Sequence, residues 1–294
     1  MVTSDIPPIT QTVETSQAVV TYYVRGPLPP VGGELPLMMV AQPMEAAGFD
    51  TLATFFGDRT VVTYDPRGVG RTIRTDGGVE VTPEDQAGDI HAVITTVGGR
   101  VDMLASSGGA VTALELVTLY PDDVRTLVAH EPPLLGVLPD ADRAFAAERA
   151  VQQAYHDRGW GAGMAAFIGL TAWQGEFTDE YLQAPAPDPA QFGMPTDDNG
   201  SRDDPLLSGT ANAITAYQPD IAALRAVPTR VFVAAGVESR NTLTWRTSQA
   251  LAAALGVGVT EFPSHHGGFM GGEHGYAGQP EAFAARLREV LESR

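Results

Sequence analysis

The stretch Val101-Asp-Met-Leu-Ala-Ser-Ser-Gly-Gly-Ala110 decides how this chain is read. A short apolar run leads into Ala105-Ser106-Ser107-Gly108-Gly109, and a helix-like pattern follows. A sharp turn from strand into helix strains its central residue, and only small residues fit two positions before and two after it, here Ala105 and Gly109. That geometry lifts the Ser107 hydroxyl clear of the sheet and aims the N–H of Gly108 at whatever sits on it. The usual form is G-x-S-x-G; Ala105 replaces the first Gly and keeps its smallness. Read alone, Ser-Ser-Gly-Gly also fits a polar loop, so the rest of the chain has to supply the partners that a serine nucleophile needs.

A serine hydroxyl attacks well only when a general base accepts its proton. The chain has six His. His266 lies where the β-like run Val259–Phe262 gives way to Pro263-Ser-His-His-Gly-Gly268 near the C-terminus, and it is the preferred base; adjacent His265 is the alternative. The imidazole in turn needs a charged group to hold its tautomer. Two carboxylates follow apolar runs: Glu131 after Thr126-Leu-Val-Ala-His130, and Glu238 after Arg230-Val-Phe-Val-Ala-Ala-Gly236. Adjacent parallel strands deliver their C-terminal ends to one edge, so Glu131 reaches the same His from the strand beside the nucleophile. Glu131 is preferred and Glu238 stays open.

Ser107, Glu131 and His266, in that order and in those strand contexts, resemble the α/β-hydrolase superfamily, and the resemblance covers nearly the whole chain. It implies a base on the loop after the last strand, and His266-Gly267-Gly268-Phe269 matches the family pattern better than a register on His265. It also implies an Asp three residues beyond a Gly after the strand that follows the cap; Ser239 stands there and carries no charge. The Ser-Ser-Gly turn, His130-Glu131-x-Pro133 and Phe262-Pro263-x-x-His266 are similar to the fungal zearalenone lactonases, a group that takes its catalytic Glu from the strand after the nucleophile helix. That likeness implies Glu131 as the acid and does not transfer a substrate.

The buried run Leu35–Val40 leads into Ala41-Gln42-Pro43-Met44, where the family commonly has H-G-x-P. The resemblance therefore puts the oxyanion between the backbone N–H groups of Gln42 and Gly108, since Pro43 has no N–H to give. Asp65-Pro-Arg67-Gly68-Val-Gly70 resembles the D-x-R-G-x-G turn after the next strand and is read as structural. It is no dinucleotide loop, because the third Gly is missing.

Composition narrows the chemistry. With 294 residues, 44% of them hydrophobic, the chain has enough apolar material for a large core. A net charge of −18 argues against nucleic acid and anionic membranes as partners. There is no Cys, which removes disulfides and thiolate chemistry. All 18 basic residues are Arg, so a Lys Schiff base, a Walker-type loop and a Ser-Lys dyad are excluded. His265, His266, Glu273 and His274 have no spacing that places two ligands on one helical face, and no metal or other cofactor is expected. The N-terminus shows no secretory pattern and no run approaches a membrane span, so a cytoplasmic protein is expected.

Alternation in Gln17–Val24 predicts an early antiparallel strand, and apolar runs at 35–40, 60–64, 101–104, 126–130, 230–235 and 258–262 predict buried parallel ones. Thr82-Pro83-Glu84-Asp85 starts a helix; Gly109–Tyr120, Leu251–Leu255 and Pro280–Leu291 are further helical stretches. The expected fold is α/β: an α/β-hydrolase core over 1–134 and 219–294, a mostly parallel sheet flanked by helices, with a helical cap over 135–218 inserted after the sixth strand. Residues 140–182 read as helical and Ala184–Asp204 as a loop or linker. Cap aromatics read mainly as the cap's own core, with Met164, Phe167 and Trp173 as candidates for an apolar pocket wall.

The expected activity is cleavage of an apolar ester or lactone by Ser107, His266 and Glu131. The same triad also serves C–C hydrolases and cofactor-free perhydrolases, and the altered Ala41-Gln42 and Ser239 positions leave a non-catalytic small-molecule binder on this scaffold as the rival. Nothing in the sequence sets the oligomeric state.

Overall fold

The computed structural model describes residues 7–275 and 277–293. Nine strands form one sheet: β1 (Ile9–Glu14), β2 (Ala18–Arg25), β3 (Leu37–Gln42), β4 (Val61–Tyr64), β5 (Ile73–Arg74), β6 (Val101–Ser107), β7 (Val124–His130), β8 (Arg230–Gly236) and β9 (Thr260–Phe262). Their order is β1-β2-β4-β3-β6-β7-β8-β9, with β5 beside β2. From β4 through β9 every pairing is parallel, while β1, β2 and β5 pair antiparallel at one edge.

Period-two alternation sends the strand residues to two cores. Met38, Val40, Met103, Ala105, Leu127 and Ala129 pack on one face with Ile90 of α2 (Pro83–Thr96), Leu114 of α3 (Gly108–Leu119) and Leu251. Leu37, Met39, Ala41, Leu104 and Val128 face the other way, onto Leu52 and Phe283. Leu52 lies on a short helix, Asp50–Thr54, and Phe283 on the C-terminal helix, Pro280–Glu292. Both faces are covered, as the continuous apolar strands require. Thr82 caps α2 by accepting from the Asp85 N–H at 3.1 Å. The turn at Asp65–Gly70 is structural: the Asp65 carboxylate accepts from Tyr23 and from the N–H groups of Ala46 and Arg71. Arg67 is buried in a bidentate pair with Asp89.

Between β7 and β8 the chain leaves the sheet for α4 (Ala141–Arg158), α5 (Trp160–Ala172), α6 (Asp179–Gln183), α7 (Asn212–Thr215) and α8 (Ile221–Ala226). This insertion follows the seventh strand in chain order, which is the sixth when the two-residue β5 is left out. Gly159, at φ 84°, breaks α4 from α5. Leu135, Ala147, Tyr155, Leu170 and Phe177 form a third core, closed by Leu243 at the start of α9 (Leu243–Leu255). Ile214 of α7 and Leu224 of α8 already pack in the first core. Asp140, just ahead of α4, is paired with Arg246 of α9 and accepts the Phe177 N–H at 2.7 Å, which ties the insertion to the sheet layer. Among the described residues no helix is long and apolar enough to cross a membrane.

Candidate active site

The site lies where the parallel strands end. Ser107 is the last residue of β6, with φ 56° and ψ −132°, outside the ordinary regions for an L-residue. Such strain persists only where the surroundings enforce it. Here β6 hands over directly to α3, and a Cβ on Gly109 would lie 2.7 Å from the Cα of Ala41. The neighbouring strand leaves no room for a side chain there. Gly108 opens α3 and approaches the Gln42 backbone, and Gln42 is paired in register with Ser107.

One strand over, Ser106 stands opposite His130 in the β6–β7 ladder, so Ser107 and Glu131 leave the sheet side by side. Glu131 is also held at positive φ, 51°. Its carboxylate is fully buried and fully used: Oε1 accepts the Gly236 N–H at 2.9 Å, while Oε2 accepts Thr244 Oγ1 at 2.6 Å and His266 Nδ1 at 2.7 Å. Burial alone would raise the Glu131 pKa, but the His266 hydrogen bond, the nearby imidazoles and the Thr244 hydroxyl outweigh it and hold the carboxyl far below its usual range. An ionised carboxylate only accepts, so His266 donates through Nδ1 and presents its Nε2 lone pair outward.

Glu238, the open alternative, lines the same cavity as His266 but is not hydrogen-bonded to it. It is exposed, and its Oε1 accepts from Gln279 at 3.1 Å. The loop carrying the imidazole approaches β8 closely enough that a Cβ on Gly236 would sit 2.5 Å from the Ser264 carbonyl oxygen. His265 Nδ1 accepts the Gly267 N–H at 3.1 Å, and the Glu273 carboxylate accepts from the backbone of Thr51 and Gly271.

A cavity of about 460 Å³ opens over this edge, and Ser107, Gly108, Gln42, His265 and His266 all line it. The structure thus joins Glu131 to His266 by a hydrogen bond and brings Ser107 to the same cavity, without a direct Ser107–His266 hydrogen bond. The far wall comes from the insertion. Of the three aromatic and sulfur-bearing candidates only Phe167 lines the cavity. Met164 and Trp173 pack instead against the insertion's own core, where the Trp173 ring meets Tyr181 at a tilt of 57°. The expectation for them is corrected: Met164 lies one turn before the end of α5 that lines the cavity, from Phe167 to Ala172, and Trp173 follows the end of that helix.

Two neighbours of the carboxylate carry no signal in the sequence, Thr244 and the Gly236 N–H; a third is His130, adjacent to Glu131 in the chain. His130 is fully buried among Phe262, Phe269 and Phe283. Its Nδ1 is 3.1 Å from Ser106 Oγ, and its Nε2, which has no hydrogen-bond partner among the described residues, is 4.0 Å from Glu131 Oε1. Burial pushes its pKa down to about 4, so the imidazole is neutral at ordinary pH.

Comparison with known proteins places this arrangement. The chain is 26% identical over 287 residues to the uncharacterized hydrolase YraK of Bacillus subtilis (strain 168), covering 96% of this chain and 95% of that one. Its fold is similar to that of a thermophilic esterase from Thermogutta terrifontis, with a TM-score of 0.62, 19% identity and 97% of both chains covered. It is also similar to the enol-lactonase of Burkholderia xenovorans LB400, with a TM-score of 0.62 and 17% identity over 96% of this chain and 100% of that one. Naproxen esterase of Bacillus subtilis gives a TM-score of 0.63 at 14% identity, over 98% and 93% of the two chains. Residues 43–286, from the end of β3 into the C-terminal helix, match the alpha/beta hydrolase family model, and the chain belongs to that family.

Proposed function

We propose that the protein is a serine hydrolase that cleaves a carboxylic ester or lactone through an acyl-enzyme. The observation that carries this reading is the buried Glu131 carboxylate bonded to His266 Nδ1 at the mouth of a cavity that also holds the strained Ser107. In the proposed cycle His266 Nε2 accepts the proton as Ser107 Oγ attacks the carbonyl, and Glu131 stabilises the imidazolium. The N–H groups of Gly108 and Gln42 take the developing oxyanion, helped by the N-terminus of α3. His266 then returns its proton to the leaving alkoxide and activates the water that releases the acyl group. That fold neighbours include esterases and an enol-lactonase supports the reading at the level of bond type.

A fluorophosphonate probe tests it. Labelling of the folded protein that disappears in Ser107→Ala is the expected result, followed by turnover in a screen of acyl esters and of small and macrocyclic lactones. A folded protein that resists the probe favours the second reading, a small-molecule binder, which draws on the missing Ser107–His266 hydrogen bond; in free enzymes such bonds often tighten only around substrate.

A further inference from the structure

The cavity has a second polar end that the proposed chemistry does not use. Glu148, Val151 and Gln152 of α4 line it together, at the i, i+3 and i+4 spacing that puts three side chains on one helix face. Facing them are Asn212 and Thr215 of α7. Gln152 Nε2 donates to Asn212 Oδ1 at 2.5 Å, so these two amides satisfy each other. Glu148 is not satisfied in the same way. Its one hydrogen-bonding neighbour is the Thr215 hydroxyl, which also lies 3.1 Å from the Asn212 backbone carbonyl oxygen. Among the described residues no salt bridge reaches Glu148, and adjoining Arg149 is exposed.

A half-buried carboxylate without a salt bridge is costly, and burial raises the Glu148 pKa against the opposing pull of the Thr215 hydroxyl and the charge of Arg149. A residue wanted only for packing would be apolar here, as Val151 is one turn further on. The cavity's lining contains two carboxylates, Glu148 and Glu238, and no guanidinium among the described residues; the chain has no Lys. The surrounding field, with a net charge of −18, draws cations and repels anions.

We infer that Glu148 forms a cation subsite, and that the substrate is an ester bearing an ammonium group remote from its scissile carbonyl. The identity of the substrate rests on the hydrolase reading above; the subsite itself does not. The ammonium would replace the missing counter-charge of Glu148, while the apolar wall between Glu148 and Ser107 would take the connecting chain.

Inert ligands test the subsite without any scissile bond. Calorimetric titration compares n-hexyltrimethylammonium with its neutral tert-butyl isostere and with heptanoate, on native protein, Ser107→Ala, Glu148→Gln and Glu238→Gln. The expected order is ammonium at least ~10-fold tighter than the isostere, heptanoate weakest, with the preference kept in Ser107→Ala and Glu238→Gln and reduced to within ~3-fold in Glu148→Gln. Equal affinity of native protein for the ammonium and the isostere overturns the proposal whether or not Glu148→Gln folds. So does a preference that survives Glu148→Gln, or one abolished by Glu238→Gln instead. A protein that shows the cation preference but resists the fluorophosphonate keeps the subsite and loses the hydrolase reading; one that is labelled but shows no preference does the reverse.

Discussion

His266 Nδ1 and the Glu131 carboxylate, 135 residues apart in the chain, meet at 2.7 Å at the end of the sheet. Glu131 thus leaves the strand beside that of Ser107, and Thr244 and the Gly236 N–H complete its shell. Glu131→Gln keeps the shape and removes the charge, so turnover is expected to fall at least ~10²-fold, while Glu238→Gln costs less than ~10-fold. Steady-state kinetics on an ester found in the screen measures both; equal effects would remove the special status of Glu131.

Ser107→Ala should lower that rate at least ~10³-fold with the fold intact, because the helix behind the serine keeps its packing. Ser106→Ala deletes only the hydroxyl facing His130 Nδ1 and should be mild by comparison. If the two variants behave in reverse, the nucleophile has been placed one residue too late.

Thr244→Val removes one of the two donors on Glu131 Oε2 without changing side-chain size much. The expected outcome is a ~3–10-fold drop in kcat with KM nearly unchanged, since a positioning bond acts on the imidazole rather than on bound substrate. A rise in KM alone would show that the hydroxyl contacts substrate instead.

His130 should make the fold acid-sensitive. An exposed imidazole in the unfolded chain takes its proton near 6.5, whereas folded His130 waits until about 4. Between those values only the unfolded state binds the proton, so stability is lost as pH falls through that window. The maximum contribution is on the order of 3 kcal/mol. Urea unfolding at pH 7 and pH 4.5 should therefore show a steeper loss for native protein than for His130→Gln; parallel losses would mean that carboxylates elsewhere set the acid limit.

What was legible in the sequence was local. The Ser107 turn announces itself within five residues, because strain at a strand–helix junction selects small neighbours on both sides. Glu131 came from a choice between two strand ends and not from its own surroundings, and its other donors were invisible. Thr244 and the Gly236 N–H reach it across 113 and 105 residues, and such contacts leave no periodic trace. The front half of α9, Leu243-Thr-Trp-Arg-Thr, was missed because β-branched residues mask a helix whose inner face packs well. β1 was missed because nearly all of it is exposed. Met164 and Trp173 were offered as wall because cavity walls and helix cores draw on the same side chains.

The position of Glu131 also sets how the protein can change. The proposed nucleophile and acid, Ser107 and Glu131, both precede the insertion, side by side through the β6–β7 register, and the imidazole arrives after it. In the customary family arrangement the acid follows the insertion and must be brought back along with the base. A change in the lid leaves that register untouched and asks only that the segments carrying Gly236, Thr244 and His266 return, with Gly236 packed under the Ser264 carbonyl as their anchor. Recombination at the edges of the insertion thus offers new substrate chambers over a dyad that never leaves the first half of the chain.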